Sequence, residues 1–162
     1  MMKQHVGMFA LFFFLIWQAG CTLLGDSGLA SGADSGVLHL GVSSNYSRVK
    51  PGNNVRIRFG VRNKGNETIV LESPDTPVMD IRVKVVGGPE LLTWSSQNPD
   101  KVSHRIEWKP GESKVIELTW LVRQEDVTYG HPYDIDLAGF LNSNSKSIQA
   151  AGISVCASNV CQ

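Results

Sequence analysis

The sequence predicts an all-β protein: an antiparallel β-sandwich with Greek-key connections, carried behind a signal peptide and a flexible tether. Three observations predict the sandwich. From Val37 onward, apolar and polar residues alternate with period two in one segment after another, the pattern of half-buried strands. Clusters of Gly, Pro, Asn and Asp separate these segments at short spacing, as turns do. No segment between them shows a convincing helical period. About eight or nine short strands of this kind make two packed sheets, with a closed barrel as the alternative architecture.

The N-terminal part is different in kind. Lys3 lies in a short polar start, and Val6 to Trp17 is an uncharged apolar run interrupted only by Gly7. A bilayer-spanning helix needs about 20 such residues, so this run of roughly twelve suits the apolar region of a secretory signal peptide. Ala19-Gly20-Cys21 follows and resembles the end of a bacterial lipoprotein lipobox, with Gln18 standing where that pattern has an aliphatic residue. The resemblance implies cleavage before Cys21 and acylation of its thiol. Two or three acyl chains, each methylene contributing roughly 0.8 kcal/mol when buried, hold a protein on a membrane where one chain does not. Thr22, in place of an Asp, points to the outer membrane or cell surface rather than inner-membrane retention. Gly25 to Gly36, GDSGLASGADSG, reads as a tether with nothing to build a core. The organisation expected is therefore 1–20 signal peptide, 21–36 lipidated tether and 37–162 sandwich.

The strands follow in order. Val37 to Val42 is the first. Val55-Arg-Ile57-Arg-Phe59-Gly-Val61-Arg alternates over its whole length and is the clearest strand in the chain. Asn63 to Asn66 is turn chemistry, and Thr68 to Glu72 reads as the return strand of a hairpin. Met79 to Val85 alternates again and ends at Gly87-Gly88-Pro89. Leu91 to Trp94 is a short apolar piece and Ser95 to Lys101 a polar loop. Val102 to Trp108 places Val102, His104, Ile106 and Trp108 on one face, which makes His104 a partly buried, hydrogen-bonded histidine. Lys109-Pro-Gly-Glu112 is a turn, and Ser113 to Val122 follows with Ile116, Leu118, Trp120 and Val122 inward. Tyr133 to Leu141, a turn over Asn142 to Lys146, and Ser147 to Cys156 complete the set.

Composition narrows the function classes. Hydrophobic residues make up 42% and charged residues 19% of the chain, a globular balance. Fifteen basic and fifteen acidic residues cancel, so no broad field favours nucleic acid. His39, His104 and His131 are scattered without zinc-ligand spacing, and His39 reads as solvent-facing. Asp134 and Asp136 share a strand face but lack the acidic, Gly-punctuated loop of a calcium site. Arg56, Arg58 and Arg62 form a basic strand face whose ordinary partners are acidic residues on neighbouring strands. Asn45 and Asn66 begin glycosylation sequons, which are chance matches behind a bacterial leader. No nucleophile elbow, Walker loop or dinucleotide fingerprint occurs, so no catalytic residue, metal or cofactor is expected. With Cys21 acylated, Cys156 and Cys161 remain for a small-loop disulfide in an oxidising compartment, contributing about 2 kcal/mol; free thiols or a metal pair are the alternatives.

A set of residues resembles a known family. Phe59-Gly-Val-Arg-Asn63, Glu67-Thr-Ile-Val-Leu71, Asp80-Ile-Arg-Val83, Trp94-Ser95, Lys109-Pro-Gly-Glu112 and Leu118-Thr-Trp120, in that order, resemble the bacterial intracellular proteinase inhibitor (BsuPI-like) domain over about residues 50–140. The resemblance implies an immunoglobulin-like sandwich and, as a function, serine protease inhibition. The expected interaction loops are Ser73 to Val78, with Pro74, Asp75 and Pro77, and Ser95 to Lys101, with Gln97, Asn98 and Pro99; proline stiffening lowers the entropy cost of presenting a loop. The expected activity is that of a lipid-anchored, non-catalytic protein-interaction module of the envelope. A protease inhibitor is the second reading and an envelope enzyme the third.

Overall fold

The computed structural model describes residues 28–127, 133–144 and 146–157. The described strands are β1 (Leu29–Ser35), β2 (Leu38–Ser44), β3 (Arg48–Val49), β4 (Asn54–Asn63), β5 (Ile69–Glu72), β6 (Met79–Val85), β7 (Glu90–Thr93), β8 (Arg105–Trp108), β9 (Ser113–Leu121), β10 (Tyr133–Ser143) and β11 (Lys146–Ala157). One sheet has the order β1-β2-β4-β9 and the other β3-β11-β10-β6-β7; β5 and β8 form a separate pair. All pairings are antiparallel except the short parallel contact of β3 with β11. The chain crosses between sheets after β4 and again after β9, so β4 and β9 pair in one sheet while β6 and β10 pair in the other. That crossing is the Greek-key arrangement of an immunoglobulin-like sandwich, and the two sheets do not close into a barrel.

The alternation read from the sequence is the alternation of burial. Val55, Ile57, Phe59 and Val61 of β4 are buried, and Arg56, Arg58 and Arg62 between them are exposed. From the facing sheet come Ile81, Val83, Ile135, Leu137 and Val155. Each fully buried aliphatic or aromatic side chain contributes roughly 1.5–3 kcal/mol. Phe59 leaves no room for a side chain at Gly139: a Cβ there would clash with the Cγ, Cδ2 and Cε2 edge of its ring.

The polar residues of the family resemblance are built into this frame. Asn63 is wholly buried; its Nδ2 donates to Glu67 O at 2.7 Å and Trp108 O at 3.1 Å, and its Oδ1 accepts from Gly65 N at 2.9 Å. It therefore fastens the exit of β4 to the end of β8. Buried Asp80 accepts from Ile81 N, Ser95 N and Ser95 Oγ at 2.9–3.0 Å, which fixes the turn after Trp94 to β6. Glu112 accepts from Lys109 N at 2.8 Å across the turn in which Gly111 takes φ +75°. The Trp120 indole donates to Asp126 at 3.1 Å.

Four expectations are corrected. Leu29–Ser35, assigned to the tether, is edge strand β1, paired along its full length with β2. Its side chains are small and mostly exposed, so it is held by backbone hydrogen bonds that leave no apolar pattern; the two-residue Gly36-Val37 turn, with Gly36 at φ +60°, is the hairpin signal. The Thr68 to Glu72 segment is a strand, but β5 pairs with β8, because β2 and β9 already occupy both edges of β4. The Ser95 to Lys101 loop and the preceding Trp94 are partly helical: α1 (Trp94–Gln97) is capped by Thr93, and a 3₁₀ turn runs over Pro99–Lys101. Finally, β8 starts only at Arg105, so His104 leaves the inward register and is exposed, although it is hydrogen-bonded.

Candidate functional site

At the end of the sandwich where β1 turns into β2 lies an apolar hollow of about 410 Å³. The turn residues Gly36 and Val37, with Leu38, form one side. Ile69 and Leu71 of β5 form another, and Leu141 and Ile148 of the β10–β11 hairpin close it. The hollow lies where β5, paired with β8, borders the β1–β2 turn and the β10–β11 hairpin.

A second hollow of about 350 Å³, walled mostly by polar residue types, adjoins it, and the two share Ser143 and Asn144. Its walls are Ser73, Pro74, Asp75 and Thr76 on one side and Arg82, Asn142 and Ser147 on the other. The Pro74–Pro77 loop is rigidly held. The Ser73 and Thr76 hydroxyls bond each other at 2.7 Å, His104 Nδ1 bonds Ser73 O at 2.9 Å and Thr76 O at 3.2 Å, and Asn142 Nδ2 donates to Pro77 O at 2.6 Å. Asn144 N donates to Glu72 O at 2.8 Å and ties the hairpin to β5. Arg82 stacks on Phe140 with its guanidinium carbon 4.3 Å from the ring centroid and lies 3.7 Å from Glu90. The arrangement offers an apolar seat beside hydrogen-bonding groups and one cation.

The structure separates the predicted loop residues. Pro74 and Asp75 reach the hollow, and Pro77 braces their loop from behind. Gln97 instead lines a polar cleft of about 190 Å³ with Asn54, Trp120, Arg123 and Asp126. Asn98 closes α1 by donating to Trp94 O, and Pro99 opens the 3₁₀ turn. Ile69, Leu71, Leu141 and Ile148 were not singled out by sequence reasoning, because apolar strand residues read as core.

The remaining candidates have local roles. Arg56 and Arg58 both approach Glu117 on β9, at 3.4 and 3.6 Å. His39 is half-buried at the sheet surface and bonds Asp34 of β1 at 2.7 Å. That bond, together with the Lys64 ammonium 3.4 Å away, holds the Asp34 carboxyl below its ordinary range. Glu112 is lowered in the same way by Lys114, 2.7 Å away, and by the Lys109 N–H. Asp136 accepts from Ser154 Oγ at 2.8 Å, and Asp134 lies opposite Cys156 in the β10–β11 register. Among the described residues no three His, Cys, Asp or Glu side chains are grouped to hold a metal ion, and no helix is long and apolar enough to cross a membrane. Cys156 is half-buried near the end of β11. Cys21, His131 and Cys161 lie outside the described residues.

No family model matches the chain, and no curated protein matches it. Solved structures do. The sporulation control protein Spo0M of Bacillus subtilis matches with a TM-score of 0.54 at 11% identity, over 76% of this chain and 50% of that one. This chain thus spans half the length of that protein. The C-terminal domain of Wzt (TM-score 0.46, 10% identity, 80% of this chain and 77% of that one) and the CARDB domain of PF1109 from Pyrococcus furiosus (0.38, 15%, 81% and 90%) are further matches. At such identities the Spo0M likeness speaks for the fold alone, in agreement with the strand order.

Proposed function

We propose that this protein is a lipid-anchored envelope lipoprotein whose sandwich is a non-catalytic protein-interaction module, binding its partner at the two-part hollow. One observation carries the reading: the point where the described chain enters the sandwich and the hollow are at opposite ends of β1. The chain enters the domain at Leu29, opposite Ser44, and reaches the hollow at Ser35 to Leu38. A seven-residue strand is about 23 Å long, so an anchor at Cys21 would hold the domain with its hollow facing away from the membrane. The outer membrane or cell surface is the location that Thr22 favours. A Cys156–Cys161 disulfide belongs to the same reading; Cys156 is engaged rather than free.

The test is capture from envelope extract with the full chain, compared with Val37→Glu and Asp75→Arg. Both positions are exposed, so neither change burdens the fold. A partner enriched by the natural chain and lost with these variants supports the reading; no enriched partner, or equal capture by the variants, refutes it. The braced Pro74–Pro77 loop also favours a second reading, a serine protease inhibitor of the BsuPI-like kind. Titration against a subtilisin-like protease decides that one, and unchanged protease activity at micromolar excess sinks it.

A further inference from the structure

The outer face of the five-stranded sheet holds a cleft apart from the two-part hollow. It encloses about 370 Å³, between Arg82 and Lys84 of β6, Glu90 of β7, and Asp136, Ala138 and Phe140 of β10. Ala138 is its floor. It alternates along β10 with Leu137, which is buried, and with Gly139, which faces Phe59 in the core. It therefore points outward, yet it is only 5% exposed, so the cleft is concave rather than a flat sheet face. Register sets the order of the charges. Lys84 lies opposite Asp136 on one side and opposite Glu90 on the other, and Arg82 is two residues along β6 from Lys84. Much of their hydrogen-bonding capacity is unspent. Arg82 Nε is buried without a hydrogen-bond partner, and Glu90 Oε2 is 3.7 Å from it, a contact of charges beyond bonding range. The guanidinium stacks on the Phe140 ring instead, 4.3 Å from its centroid. Among the described residues the side chains of Lys84 and Glu90 make no hydrogen bond either. Asp136 is held by Ser154 Oγ at 2.8 Å through one oxygen, which leaves the other open.

We infer that this cleft binds a neutral oligosaccharide. Two cations and two carboxylates cancel, so the cleft does not select an ion. Donors and acceptors are interleaved across it, which suits groups that both donate and accept, as hydroxyls do. Its apolar surface is one aromatic ring and one methyl group, enough for the C–H face of a sugar ring and too little to bury a large apolar side chain. An extended peptide has no ladder to join here, because β6 and β10 each lie between two partner strands. Arg82 and Lys84 donate to the sugar hydroxyls, and Glu90 and the open Asp136 oxygen accept from them. Phe140 and Ala138 support the ring. The volume is at the small end for ligand sites and suits one or two sugar rings. Arg82 also borders the hollow beside Pro74 and Asp75, whereas Lys84, Glu90 and Ala138 border the cleft and not the hollow.

The experiment is saturation-transfer NMR with calorimetry on the full chain, in a detergent that has no sugar head group. Maltotriose, cellotriose and tri-N-acetylchitotriose are each titrated to tens of millimolar. The expected result is saturable binding of at least one of them, with a dissociation constant in the millimolar range or below. Lys84→Met and Glu90→Gln, both at exposed positions, should each raise that constant about threefold to tenfold while the chain melts as before. Ala138→Leu fills the floor and should abolish binding. Trigalacturonate, a charged trisaccharide, should bind no more tightly than the neutral ones. The inference is overturned if none of the three neutral sugars binds saturably, or if trigalacturonate alone binds. Binding left unchanged by both Lys84→Met and Glu90→Gln overturns it as well. Capture of a partner at the hollow is a separate outcome, since Val37 and Asp75 do not border this cleft.

Discussion

Replacing Asn63 with alanine should remove more stability than its one short side chain suggests. The side chain is wholly buried and makes three hydrogen bonds, to Glu67 O, Trp108 O and Gly65 N. Glu67 is exposed and Gly65 half-buried, so water can replace two of them at about 0.5–1 kcal/mol each. Trp108 is fully buried and its carbonyl keeps its ladder place opposite Ile69, so losing the second donor there costs about 1–1.5 kcal/mol. The expected loss for Asn63→Ala is therefore about 3 kcal/mol, or roughly 10 °C in Tm for a domain of this size. Chemical denaturation followed by tryptophan fluorescence measures it, since Trp108 is in the affected region. Asn63→Asp keeps the acceptor for Gly65 but aims a carboxylate at two carbonyls, so its deficit should shrink as pH falls and the carboxyl gains a proton to donate. A loss under about 1 kcal/mol for the alanine variant, or a pH-independent aspartate variant, would refute this account.

Other outcomes follow from the same structure. Asp80→Ala frees Ser95 and the turn at α1, and should cost about 2–4 kcal/mol by the same assay. Gly139→Ala drives a methyl into the Phe59 ring and should destabilise by about 1–3 kcal/mol, whereas Gly60→Ala, whose added carbon meets nothing nearer than 3.5 Å, should be tolerated in thermal melts. Glu112 titrates below its ordinary value of about 4.5 in the folded state. Its stabilisation is therefore full above that value and lost as pH falls through the lower folded one, and Glu112→Gln should flatten the acid side of the stability profile. Cys21→Ser should release the protein from the membrane fraction; mass spectrometry of a mature N-terminus elsewhere than Cys21 would contradict the lipid anchor.

What could be read from the sequence depended on what held each element. β4 and β6 were legible because their side chains divide between core and solvent, so period two is written in residue type. β1 was not, since Ala30, Ser31, Gly32 and Ala33 pair through backbone groups that every residue carries. The β5–β8 pairing joins residues about forty positions apart, with Ile69 opposite Trp108, and no local pattern encodes a partner at that distance. His104 was misplaced by extending alternation three residues beyond the point where the strand begins. At the site, Pro74 and Asp75 announced an exposed loop by their chemistry. The hollow beside them stayed hidden, because an apolar residue lining a cavity and one filling a core look the same in sequence.

β1 also decides how the protein would carry load. The chain enters at Leu29, and the hollow lies past the far end of the same strand. A partner held in the hollow while the N-terminus is fixed would pull along β1, not across it. The β1–β2 ladder would then be strained in shear, with all of its hydrogen bonds sharing the force at once, instead of opening one after another like a zipper. A strand that looked like slack cord in the sequence is placed to be the part under tension.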